Sequence, residues 1–75
     1  MKTIKVSITK YQVKVTKDND SLLVTNNNIN AYTKLYEALQ GQEADRYILN
    51  HWGKEIACYE DKESFIKTLS KWFEN

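Results

Sequence analysis

Nucleophilic chemistry in this chain would have to start from Cys58, its single cysteine, with His51, its single histidine, as the base. A thiol becomes a nucleophile when an adjacent imidazole or a positive field holds it as thiolate. Here the two residues stand seven positions apart across an expected turn, a spacing that does not by itself bring sulfur to a ring nitrogen. Cys58 shares strand parity with Ile56, and the reading adopted is a small hydrophobe packed in the core. One His and one Cys fall short of the clustered ligands a metal needs. Glu60, Asp61 and Glu63 could serve acid–base chemistry, but a helix N-terminus attracts the same carboxylates through its dipole. The two glycines, Gly41 and Gly53, are isolated and build no phosphate-cradling loop. No catalytic residue, cofactor or metal is expected, and the chain does not read as an enzyme.

Binding is the chemistry these residue types favour. Trp52 falls in a tight turn between His51 and Gly53, where a ring is hard to bury completely. Exposed Trp and Tyr are the side chains found most often at the energetic centres of protein interfaces. The competing reading folds Trp52 back over the sheet edge to complete a small core. Tyr47 and His51 are the expected neighbours of Trp52 in such an interface. A second candidate is the N-terminal stretch, where Lys5, Ser7, Thr9, Lys10, Gln12 and Lys14 could line the solvent face of a sheet. Lys5, Lys10 and Lys14 would suit phosphates or an acidic protein surface, although Lys- and Thr-rich outer faces are also the ordinary solvated faces of antiparallel sheets.

The elements that position these residues follow from periodicity. Between Thr3 and Ile8, Ile4, Val6 and Ile8 alternate with Lys5 and Ser7, the pattern of a half-buried strand. The next apolar set, Tyr11, Val13 and Val15, is odd-numbered, so the inward face changes parity near Thr9 and Lys10. Thr-Lys lacks the positive-φ residues of a two-residue hairpin, which favours one long bent strand with a bulge over two separate strands. Lys17 to Asp20 reads as a turn and Ser21 to Thr25 as the returning strand. A helix is expected after the Asn26-Asn27-Asn28 run, with a stripe of Ile29, Tyr32, Leu35, Tyr36 and Leu39 and Gly41 beyond its end. Arg46 to Asn50 and Lys54 to Tyr59 form a second hairpin across the His51-Trp52-Gly53 turn. The last helix, capped by Asp61, carries Phe65, Ile66, Leu69, Trp72 and Phe73 on one stripe.

Hairpin and helix thus occur twice, with Tyr11 answering to Tyr47, Val24 to Cys58, Leu35 to Leu69 and Leu39 to Phe73. The expected fold is α+β, in β-β-β-α-β-β-α order, with a four- or five-stranded, mainly antiparallel sheet and two helices on one face. Seventy-five residues make a single domain with a small core, and one cysteine excludes an internal disulfide. No stretch has the continuous apolar run of a membrane span or signal peptide, so a soluble, cytoplasmic protein is expected. The net charge of +1 is uneven: five lysines and no acid give residues 1–17 a charge of +5, leaving −4 for the rest.

The run Tyr59-Glu60-Asp61-Lys62-Glu63-Ser64-Phe65, an acidic and aromatic lead from a hairpin into a short helix, resembles segments of small phage-encoded inhibitors, including some anti-CRISPR proteins. The resemblance implies a stoichiometric blocker that occupies a surface of a larger host complex. Three functions are therefore expected in order: a protein-binding module using Trp52, Tyr47 and His51 with rim charges from Lys5, Lys10 and Lys14; a nucleic-acid-binding accessory protein using those lysines; and a homodimer joined through an unpaired edge of the N-terminal strand.

Overall fold

The computed structural model describes residues 1–74. Strict alternation makes β1, Thr3–Ile8, a strand with one fully apolar edge row, and the fold places it at the centre of the sheet. β2 (Gln12–Lys17) and β3 (Asp20–Asn26) form one hairpin, β4 (Arg46–His51) and β5 (Lys54–Tyr59) another. The five strands lie in the order β3-β2-β1-β4-β5, antiparallel except for the parallel pair β1–β4. Helix α1 (Ala31–Leu39) lies over β2 and β3, and α2 (Lys62–Glu74) packs on β5 and on α1. The expected α+β fold and element order hold, with a mixed, mostly antiparallel five-stranded sheet.

One core sits between the sheet and the helices. Ile4, Val6 and Ile8 of β1, Val13 and Val15 of β2 and Tyr47 and Leu49 of β4 meet Ala31, Leu35 and Leu39 of α1 and Phe65 and Leu69 of α2. Every aliphatic position here follows from period 2 in strands and 3.6 in helices. The echo of hairpin and helix, a likeness of pattern, is uneven in burial: Leu35 and Leu69 are both fully buried, Val24 and Cys58 are both exposed, but Tyr11 is exposed and Tyr47 buried.

The parity change at Thr9 is made by a turn between two strands, not by a bulge in one bent strand as expected. The connection is three residues long and needs no positive φ, because the Thr9 hydroxyl accepts the Gln12 N–H (3.0 Å) while the Thr9 N–H donates to the Gln12 carbonyl (2.9 Å). β1 is consequently paired on both sides within the chain. An unpaired N-terminal edge, the premise of the expected homodimer, does not exist; the edges are β3 and β5. Each of these carries an extra residue, Leu22 opposite Val15/Thr16 and Ile56 opposite Leu49/Asn50, and such bulges interrupt the ladder a second chain would extend.

The helix ends differ in how they are held. Asp61 accepts the Ser64 N–H (3.3 Å), the Glu63 N–H (3.3 Å) and the Ser64 hydroxyl (2.9 Å), the capping arrangement its sequence position implies. Those bonds, the Ser64 hydroxyl first, hold its carboxyl below the ordinary value of 3.8. Before α1 it is Asn28 that organises the chain, its side-chain oxygen accepting the Asn30 N–H (2.9 Å). The helix therefore begins at Ala31, and Ile29, expected on its buried stripe, lies outside it and is 96% exposed.

Candidate functional site

At one end of the sheet four segments converge: the β1–β2 turn, the loop before α1, the β4–β5 turn and the last turn of α2. The β4–β5 turn is the sharpest of them. Trp52 has φ 56° and Gly53 φ 78°, the signs of a type I′ turn, whose first position ordinarily takes Asn, Asp or Gly. A bulky side chain there crowds its own carbonyl, at a cost of about 1–2 kcal/mol. The Trp52 N–H donates to the Ile8 carbonyl (3.1 Å), so the turn is tied to the end of β1. Trp52 is 61% exposed, which decides between the two sequence readings: it does not fold back to complete the core.

Further rings extend from Trp52. The half-buried His51 ring meets Trp52 edge-on (6.2 Å) and Trp72 edge-on (4.9 Å). Trp72, expected within the buried stripe of α2, is 36% exposed because the helix runs on to the end of the sheet. Phe73 beside it packs on Tyr32 (5.8 Å), which in turn touches Tyr36 (6.3 Å). An open recess of about 360 Å³ lies between Trp72, Phe73, Asn27, Asn28 and Ile29. Tyr11, 72% exposed, adjoins it, since its carbonyl accepts the Asn27 N–H (3.0 Å), and Lys10 places its ammonium 5.6 Å from the Tyr11 ring.

The candidate residues divide accordingly. Trp52, His51 and Lys10 belong to this end. Tyr47 does not: it is 1% exposed, stacked 5.4 Å from Phe65, with its hydroxyl accepting the Ala44 N–H (3.2 Å). Its parity in β4 points it under α2, so its expected interface role is corrected to a core role. Lys5 and Lys14 lie on the uncovered face of the sheet, away from Trp52. Cys58 is exposed on that same face, opposite Ile48, and is not the core hydrophobe expected. Alternation groups it with Ile56, but Ile56 is the unpaired residue of the β5 bulge, 43% exposed, and the period-2 pattern does not run through it. His51 faces the helices, so the two do not form a nucleophile–base pair.

Tyr11, Ile29 and Trp72, expected on apolar, inward-facing rows, belong to this exposed end instead. A sequence signal existed only for Ile29, an isolated apolar residue within the polar run Asn26 to Asn30. Among the described residues no group of three or more His, Cys, Asp or Glu could hold a metal, and no helix is long and apolar enough to cross a membrane. Comparison of the chain with protein-family models, with curated proteins and with solved structures gives no match in any of the three.

Proposed function

We propose that the protein is a non-enzymatic binding module whose contact surface for a larger protein is the end formed by Trp52, Trp72, His51, Ile29 and Tyr11, with Lys10 at its rim. The observation that carries this reading is Trp52, a large ring kept in solvent at a left-handed backbone position that favours Asn or Gly. Strain retained without a packing benefit is the mark of a residue kept for contact rather than for stability. Rings at such a surface release ordered water on docking, and a truncation at the centre of an interface removes about 2 kcal/mol or more. The resemblance of Tyr59–Phe65 to phage-encoded inhibitors adds the form the binding takes in this proposal, stoichiometric occupation of a host surface, as in anti-CRISPR proteins.

The test is capture from a host-cell lysate with nuclease present, using the wild type, Trp52→Ala and Lys5→Ala side by side. The expected result is a discrete protein retained by the wild type and by Lys5→Ala and lost, by thirtyfold or more in affinity, with Trp52→Ala. Retention that Trp52→Ala leaves intact, or that nuclease abolishes, rejects the reading.

A further inference from the structure

The sheet face opposite the helices is covered by no element, and its central three strands carry cations and no acid. On β2 the outward residues are Gln12, Lys14 and Thr16; on β1, Lys5 and Ser7; on β4, Arg46, Ile48 and Asn50. The register fixes how the cations are placed. Lys14 pairs with Ser7, Lys5 stands two residues along β1 from Ser7 and pairs with Ile48, and Arg46 stands two residues along β4 from Ile48. Lys14, Lys5 and Arg46 therefore form one straight diagonal across three strands. Strand spacing and rise set each step at roughly 8 Å between backbone positions. All three are exposed, and none makes an ion pair or side-chain hydrogen bond among the described residues.

Ordinary solvated faces interleave the two signs of charge, because opposite-charge cross-strand pairs add stability. This one does not. The acids that adjoin it stand at the Arg46 end and off the three strands: Asp45, whose carboxylate accepts the Lys2 N–H, Asp18, whose carboxylate accepts the Thr3 N–H, and Glu60, just beyond the edge strand β5. Thr16, Ser7 and Asn50 stand beside the cations and supply neutral donors of the kind that bind phosphate oxygens. No aromatic side chain points from this face, so it offers no platform for stacking unpaired bases. Ile48 at its centre is only 8% exposed, and the exposed apolar residues of this face, Val24 opposite Lys14 and Cys58 opposite Ile48, lie apart on the two edge strands.

We infer that this face is a second binding surface, for the phosphate backbone of duplex nucleic acid, with Lys14, Lys5 and Arg46 each neutralising one phosphate. The inference goes beyond the aromatic end and does not depend on it: the two surfaces share none of the residues that carry either argument. It also revises the lysine set named from the sequence, since Lys10 lies in the β1–β2 turn beside Tyr11 while Arg46 completes the diagonal. Three phosphate contacts give a logarithmic dependence of affinity on salt with a slope of about −2.7, or about a fortyfold loss between 50 and 200 mM, with affinity in the non-specific range.

The experiment is fluorescence anisotropy of a labelled 20-base-pair DNA duplex titrated with the full chain across that salt range, with single-stranded DNA and poly-glutamate as competitors. The expected result is a slope near −2.7 that falls by about 0.9 with each of Lys5→Gln, Lys14→Gln and Arg46→Gln. The slope should be nearly abolished in the triple variant, which retains the wild-type thermal transition. Trp52→Ala and Lys34→Gln, a substitution on α1, leave it unchanged, and Glu60→Gln tightens binding two- to threefold. No duplex binding at 50 mM salt overturns the inference. So does a slope unaffected by the three single substitutions, or competition by poly-glutamate or single-stranded DNA that equals competition by unlabelled duplex. The last pair of outcomes would assign the face to an acidic protein or to an unpaired strand.

Discussion

Two aromatic clusters stand at opposite ends of β4, and they differ in nearly every physical respect. At its start Tyr47 and Tyr59 both meet Phe65, ring to ring at 5.4 and 6.2 Å, and both phenols are bonded, Tyr47 to the Ala44 N–H and Tyr59 to the Thr68 hydroxyl (2.8 Å). The chain around it is pinned as well. Lys62 donates to the Gln42 carbonyl (2.7 Å), and the Lys2 N–H to the Asp45 carboxylate (2.8 Å). Five residues on, Trp52 has no enclosing partner and sits at a backbone conformation its side chain resists. Ring content is similar at the two ends; only the first is organised to hold the fold. At the second, Phe73 and Tyr32 pack on the core while Trp52 and Trp72 stay open to solvent, and in a chain this small that is apolar surface withheld from a core with little to spare.

The contrast would break first at Phe65. Phe65→Ala removes a fully buried ring from the closed cluster and should cost about 3–5 kcal/mol, a large part of the stability of a domain this size. Urea unfolding followed by circular dichroism measures it. Trp72→Ala, at the open end, should cost less than half as much; equal losses would mean that both ends belong to the core.

Trp52→Asn sharpens the comparison in the other direction. Asn accepts the left-handed position that Trp resists, so the variant should gain about 1 kcal/mol and melt a few degrees higher, while losing the partner contact. A thermal scan in which Trp52→Asn melts below the wild type would show that the ring stabilises the fold after all, and the argument from strain would fail.

The smallest effect is expected at Asp61, within the closed half. Because its bonds to Ser64 and Glu63 lower its folded pKa relative to the unfolded chain, its contribution to stability is fully present above the ordinary value of 3.8. It is lost as pH falls through the folded value. Asp61→Asn keeps a capping oxygen but cannot titrate, so wild type and variant should differ at neutral pH and converge as the pH falls below the folded value. The group is exposed, and the difference should be modest. Parallel pH profiles would mean that the carboxylate charge contributes nothing to the cap.

Much of this architecture is local in origin and was legible in the residues. The alternation of Ile4, Val6 and Ile8, the Asp18-Asn19 turn, the stripe of Phe65 and Leu69 and the cap at Asp61 each involve contacts within a few positions, so element type and order follow from the sequence alone. What period 2 specifies is which residues share a face, not which face becomes covered. Cys58, expected in the core, therefore lies on the uncovered side, and Tyr47 and Trp52, five residues apart in one hairpin and expected to share a surface, are divided by β4. The parallel pairing of β1 with β4 joins residues more than forty positions apart, and no local signal announces it. That pairing alone made the N-terminal strand central, removed the edge a second copy would have used, and brought Arg46 into line with Lys5 and Lys14. Secondary structure here was fixed by neighbours in the chain; the two candidate surfaces were fixed by which strand lies beside which, and only the folded sheet decides that.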